Sequence, residues 1–72
     1  MKDIVLLYDN CCIYEIVILN YFQKCTSGDI FFCSVDGNVI RAMEGYSINT
    51  DLPLNDVDLS QVRSLIVPGG EI

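Results

Sequence analysis

Two short segments of this 72-residue chain hold the residues whose types and spacing could do chemistry. The first is Asp9-Asn10-Cys11-Cys12, followed by Glu15, and the second is Pro68-Gly69-Gly70. Each comes directly after an apolar run. Gly69 and Gly70 would let the backbone approach a ligand closely and present N–H groups to an oxyanion. If a helix already starts at Cys11, then Cys11 and Cys12 share a face with Glu15.

Each of these residues also has a simpler interpretation, which the sequence leaves open. Gly69 and Gly70 could form an ordinary turn after a strand. Glu15 could be a solvated helix residue. Asp9 or Asn10 could cap a helix by accepting a hydrogen bond from its first N–H groups.

The thiols and the missing side chains limit the possible chemistry. There are four cysteines, at positions 11, 12, 25 and 33, and no histidine. A Cys–His dyad or a Cys/His zinc site within this chain is therefore excluded. No CxxC pattern or disulfide framework is present, and no carboxylate spacing implies a metal, so we predict buried, reduced cysteines, no metal and no cofactor. Cys11 and Cys12 are redox candidates, because a helix N-terminus would lower a thiol pKa.

The elements that must position these residues alternate between strand and helix. Apolar runs of the kind found in buried parallel strands span residues 4–8, 29–35 and 64–67. The 3.6-residue periodicity predicts a helix over residues 11–24, apolar on most sides, which ends at Thr26-Ser27-Gly28. Two short strands around Glu44-Gly45, a loop over residues 51–58 and one capped helical turn near Leu59 complete the pattern.

Composition excludes several classes of protein. Half of the residues (51%) are hydrophobic and 19% are charged, which rules out intrinsic disorder. No apolar run approaches the ~20 residues of a membrane span, and no export signal opens the chain. The net charge of −6 argues against nucleic acid and anionic membranes as partners. We expect a cytoplasmic protein.

The order of elements predicts an α/β fold with a right-handed β-α-β unit and a parallel sheet. One long helix is too few to cover three main strands on both faces. An α/β fold would also continue with a helix after Gly69-Gly70. The sequence is therefore interpreted as part of a larger domain, interrupted in the middle of the fold.

The ordered combination of motifs resembles the ThiJ/PfpI family, the group of the parkinsonism-associated deglycase and chaperone, which has a class I glutamine amidotransferase-like, flavodoxin-like fold. The resemblance lies in the opening V-L-L-Y-D-N-C-C-I-Y-E, in Ser34-Val35-Asp36-Gly37-Asn38-Val39, and in D-V-D-L-S-Q-V-R-S-L-I-V-P-G-G before Glu71. It spans residues 1–72 and only the N-terminal portion of a typical family domain. Asn10 stands where the family usually has glycine, and Cys11-Cys12 replace apolar and acidic residues.

The resemblance implies a role for three residues. Glu15 would hydrogen-bond the family's reactive cysteine, which tunes thiolate reactivity. Gly69 and Gly70 would form the oxyanion turn beside that cysteine. No cysteine here matches the nucleophile, so it would lie beyond Ile72. The intact protein would be an amidase or protease, or a glyoxalase or deglycase, acting on a small molecule or peptide.

Two alternatives belong to other classes. The chain could be a chaperone-like or dimerising interaction module, with the apolar helix 11–24 as its contact surface or as the surface that meets the rest of the domain. A flavodoxin- or receiver-like start is disfavoured, because no Asp follows the strand at Val67.

Overall fold

The structure, a computed structural model, describes residues 2–26 and 28–70. The elements are β1 (Lys2–Leu6), α1 (Tyr14–Cys25), β2 (Asp29–Ser34), β3 (Ile40–Arg41), β4 (Ser47–Ile48), β5 (Leu52–Pro53) and β6 (Val62–Ile66). Four parallel strands form the main sheet in the order β5-β2-β1-β6, and a separate antiparallel pair joins β3 to β4. The predicted α/β class with a parallel sheet, a partial flavodoxin-like fold, is confirmed.

The central strand is β1, which pairs with β2 on one side and β6 on the other. Its continuous apolar run suits this place, because a central parallel strand is covered on both faces. Val5 and Leu7 point to the α1 side and join a buried cluster, completed by Cys11, Ile16, Ile40 and Ala42. Ile4, between them, points to the opposite side and is 2% exposed.

The helix begins later than its periodicity predicts. Residues 9–12 form a turn that is hydrogen-bonded to other segments, so α1 starts at Tyr14 rather than at Cys11. Asp9 and Asn10 do not cap it: the residue before the helix is Ile13, and its side chain makes no capping bond. The Glu44 carboxylate does this instead, accepting from the N–H groups of Ile13 (3.0 Å) and Tyr14 (3.2 Å). Ser27, in the predicted end of the helix, and Glu71 lie outside the described residues.

The second half of the chain differs from its prediction in strand lengths. The two strands around Glu44-Gly45 form a hairpin, but each is only two residues long. The predicted loop over 51–58 contains the short strand β5 and a 3₁₀ turn, Leu54–Asp56, and Asp58 caps a second 3₁₀ turn, Leu59–Gln61. The sequence does not predict β5, because only two of its residues pair with β2 and so short a strand produces no periodic pattern of apolar residues.

The sheet face opposite α1 is only partly covered. The segment 51–61 crosses it and leaves a cleft of about 330 Å³ lined by residues such as Ile4, Phe31 and Val57. Leu65, the neighbour of Ile4 on β6, remains 57% exposed. On the helix side of the sheet, Ile16 is the only residue of α1 that is buried. The outer surface of α1 and the sheet face opposite it are therefore both apolar and accessible.

The amino ends of β1 and β6 are joined by a buried polar cluster. The Asp3 carboxylate is fully buried and accepts hydrogen bonds from the Arg63 guanidinium and the Ser64 hydroxyl. These bonds hold the pKa of Asp3 below its usual value, the Arg63 bond most strongly. Gly28 packs on this ion pair so closely that a Cβ there would lie 2.7 Å from Asp3 Oδ2.

Within residues 2–26 and 28–70, no helix is long and apolar enough to cross a membrane.

Candidate functional site

The candidate site lies at the carboxyl ends of β1 and β6. The chain leaves β1 through α1 toward β2 on one side, while β6 pairs with the other side of β1. This arrangement opens a crevice between β1 and β6, where open α/β sheets bind ligands. The two segments singled out in the sequence, residues 9–15 and 68–70, follow these two strands and meet there.

Glu15 and Gly69 are in direct contact. The Gly69 N–H donates to Glu15 Oε1 at 3.2 Å, although the two residues are 54 positions apart. A Cβ on Gly69 would lie 2.8 Å from the same oxygen, so a side chain at this position would displace the Glu15 carboxylate from the contact. Glu15 reaches the turn from the first turn of α1. The structure therefore brings together the carboxylate and the glycine turn that the sequence analysis selected.

Gly70 is held against the loop after β1. Cys11 and Gly70 form an isolated antiparallel bridge, and the Cys12 N–H donates to the Gly69 carbonyl at 2.6 Å. A Cβ on Gly70 would lie 2.4 Å from the Asn10 carbonyl oxygen, which belongs to the backbone and cannot move aside. Asn10 itself has a positive φ of 67°, a conformation that asparagine tolerates better than most residues.

The thiols of Cys11 and Cys12 are buried, at 0% and 8% exposed. Burial raises the pKa of Cys12, and the negative charge of Glu15 raises it further. The predicted lowering of a thiol pKa by the helix N-terminus is therefore wrong for Cys12. The helix starts at Tyr14, two residues after Cys12, and the Glu44 carboxylate already accepts hydrogen bonds from the N–H groups at its N-terminus. A redox role for Cys11 and Cys12 stays a prediction.

The other two cysteines lie away from the site. Cys33 is fully buried in β2, and burial raises the pKa of its thiol. Cys25 is exposed at the last position of α1, at the opposite edge of the sheet from Gly69. All four thiols are unpaired. The part of the chain that the structure describes contains no group of three potential metal ligands.

Sequence reasoning missed two residues that shape the site. The Tyr8 hydroxyl donates to the Pro68 carbonyl at 2.6 Å, and the Glu44 carboxylate caps α1 beside Cys12. A tyrosine at the end of an apolar strand, opposite a glycine turn, is a signal that could have been read. Glu44 gives no such signal, because its partners are 30 and 31 residues away.

The fold is shared with proteins of the DJ-1 superfamily. The chain matches no protein-family model and no curated protein. Among solved structures it is similar to a DJ-1 superfamily protein from Agrobacterium tumefaciens (TM-score 0.88, 22% identity, 97% of this chain, 38% of that one). It is similar to oxidized DJ-1 from Toxoplasma gondii (TM-score 0.81, 20% identity, 96% and 38%) and to the VC2308 protein (0.83, 17%, 96% and 36%).

These likenesses concern the backbone. At 17–22% identity they establish the fold, and the chain spans little more than a third of each matched structure.

Proposed function

We propose that residues 1–72 are the N-terminal portion of a ThiJ/PfpI-like domain in a cysteine-dependent enzyme. The observation that carries this proposal is the Glu15–Gly69 hydrogen bond in the crevice between β1 and β6. The fold shared with DJ-1 superfamily structures supports it, as does the 36–38% share of those structures that the chain spans.

In this proposal the chain supplies two of the three parts of the site. Glu15 lies beside the reactive thiol. The N–H groups of the Gly69-Gly70 turn bind an oxyanion formed during the reaction, for which the Gly69 N–H exchanges its hydrogen bond from Glu15 to the oxyanion. Glu15 already raises the pKa of one thiol, that of Cys12. The same carboxylate would tune a nucleophilic thiol that enters the crevice.

The nucleophile comes from residues outside the described part of the chain. Cys11, Cys12 and Cys33 are buried, and Cys25 is exposed at the last position of α1, away from the crevice. The class of reaction that we propose for the intact protein is that of the ThiJ/PfpI family: hydrolysis of amides or peptides, or conversion of α-oxoaldehydes and their adducts. Four unpaired thiols are consistent with the reducing cytoplasm that we propose as its location.

A chimera tests the proposal. The 72 residues replace the segment that they match in the Agrobacterium tumefaciens protein, and consumption of an α-oxoaldehyde and of a peptide substrate is followed. We expect turnover that depends on one cysteine of the added remainder. Glu15→Gln should reduce it about tenfold or more, which is the kinetic equivalent of one charge-assisted hydrogen bond. Asp29→Asn, an exposed carboxylate at the opposite edge of the sheet, is the matched control.

An activity assay of the isolated 72-residue chain tests the proposal from the opposite side. We expect no turnover from it. Thiol-dependent turnover by the 72 residues alone, abolished by Cys12→Ser, would show that the nucleophile is already present and would overturn the proposal. A chimera that is fully active with Glu15→Gln would do the same.

A second candidate is an interaction module of the same fold, chaperone-like or dimeric. The outer face of α1 favours it, because four large apolar side chains of one helix are 60–70% exposed: Tyr14, Ile18, Tyr21 and Phe22. Helix α1 would then pair with a second copy or cover part of the remaining domain. Light scattering after size-exclusion chromatography decides: a dimer that Ile18→Glu dissociates supports pairing, and a monomer at high concentration contradicts it.

A further inference from the structure

The carbonyl of Pro68 and the N–H of Gly69 belong to one peptide unit, and both of its polar groups are held by side chains. The Tyr8 hydroxyl donates to Pro68 O at 2.6 Å, and Glu15 Oε1 accepts from Gly69 N at 3.2 Å. A trans peptide is planar, so its C=O and N–H point in opposite directions. Fixing the direction of the carbonyl therefore fixes the direction of the N–H.

We propose that Tyr8 is a positioning residue, whose hydroxyl sets the orientation of the Pro68–Gly69 peptide and so aims the Gly69 N–H into the crevice beside Glu15. This positioning role deepens the proposed function, and the part of the Gly69 N–H in catalysis rests on that function. The orientation itself can be measured without any catalysis.

The need for such a residue follows from the local sequence. Proline has no N–H, so the carbonyl is the only backbone group of Pro68 that can anchor it. Glycine rotates about its backbone more freely than any other residue, so Gly69 does not resist a flip of the preceding peptide. A flip would turn the N–H away from Glu15 and present a carbonyl to the crevice, which would repel an oxyanion.

The surroundings of Tyr8 suit this role. Its ring is partly buried against the core cluster that contains Val5, Leu7 and Cys11, which restricts the position of the hydroxyl. Burial raises the pKa of Tyr8, and the nearby Cys11 and Glu15 raise it further, so the hydroxyl keeps its proton at neutral pH. On the other side of the turn, the Cys12 N–H holds the Gly69 carbonyl at 2.6 Å. The carbonyls of Pro68 and Gly69 thus both accept hydrogen bonds from the segment that follows β1.

Nuclear magnetic resonance of the 72-residue chain tests the orientation. In the wild type we expect the Gly69 amide proton to shift in a step as the pH is lowered, and Glu15→Gln to remove that step. In Tyr8→Phe, which removes only the hydroxyl, we expect the step to shrink by at least half. Hydrogen exchange of the Gly69 amide should become about five- to tenfold faster, the equivalent of one lost hydrogen bond. Tyr21→Phe, on the exposed face of α1, is the control and should change neither signal.

Two results would overturn the proposal. The first is a folded Tyr8→Phe chain in which the Gly69 amide proton keeps its pH-dependent step and its exchange rate. The second needs no variant, in case Tyr8→Phe does not fold: a Pro68 carbonyl ¹³C shift at its random-coil value in the wild type would mean that no hydroxyl is bound there. Loss of the Gly69 step in Tyr8→Phe, together with a chimera indifferent to Glu15→Gln, would support the positioning role and reject the proposed function alone.

Discussion

At the scale of single residues, the site depends on where a Cβ atom can be accommodated. A Cβ on Gly69 would meet the end of the flexible Glu15 side chain, whereas a Cβ on Gly70 would meet the Asn10 carbonyl and the Cys11 Cα, both backbone atoms. Glycine is therefore favoured at the two positions for different physical reasons. At position 69 the reason is the contact with Glu15, and at position 70 it is the packing of two loops.

We expect Gly70→Ala to destabilise the fold and Gly69→Ala to spare it. Backbone overpacking at Gly70 should cost about 2 kcal/mol of unfolding free energy. Gly69→Ala should cost less than about 1 kcal/mol, because the Glu15 carboxylate can turn away. Urea unfolding followed by circular dichroism measures both. Equal losses for the two variants would contradict this difference between them.

The Cys12 thiol reports the charge of Glu15. Burial is the main cause of its raised pKa and the Glu15 carboxylate is the next, so Glu15→Gln should lower that pKa. The rate of alkylation at Cys12, followed by mass spectrometry as a function of pH, measures the change. Asp29→Asn removes the same charge at the other edge of the sheet and should leave the profile in place. A Glu15→Gln profile that coincides with the wild type would show that the carboxylate does not reach the thiol.

At the scale of the elements, much of the fold could be predicted, and the errors share a cause. The apolar runs identify β1, β2 and β6, and the 3.6-residue pattern identifies α1, because these signals are local. The start of α1, its Glu44 cap and strand β5 depend on contacts between distant segments, which leave no local pattern. The site follows the same division: Glu15, Gly69 and Gly70 were found by their order in the chain, whereas the Tyr8–Pro68 bond spans 60 positions.

The cap of α1 by Glu44 should be visible in the stability of the helix. Accepting from the Ile13 N–H, and also from the Tyr14 N–H, lowers the pKa of Glu44. The stabilisation from a lowered carboxyl pKa is present above the unfolded-state value and is lost as pH falls through the folded-state value. We expect Glu44→Gln to lower the urea midpoint of the helical signal at pH 7 and to have little effect at pH 3. An equal reduction at both pH values would contradict the capping role of the charge.

At the scale of the whole molecule, two effects of acid oppose each other. The chain has a net charge of −6 and a pI of about 4.1, so acidification toward that pH relieves self-repulsion and favours the compact state. Against this, hydrogen bonds lower the pKa of Asp3, Asp36, Glu44 and Asp58. Each contributes stability above its unfolded-state pKa that is lost as pH falls through its lower, folded-state pKa.

Below about pH 4 acidification no longer relieves net charge, because the pI is about 4.1. We expect the loss of the carboxylate hydrogen bonds to determine stability there, because Asp3 is fully buried and ties β1 to β6 through Arg63 and Ser64. The urea midpoint should fall between pH 4 and pH 2. Asp3→Asn should cost about 1–2 kcal/mol at pH 7, a discounted value because the Arg63 side chain is 44% exposed and water screens its charge. The variant should also show a shallower acid dependence. A chain that becomes more stable as pH falls below 4, or an Asp3→Asn variant with an unchanged acid slope, would mean that the buried pair does not determine the acid dependence.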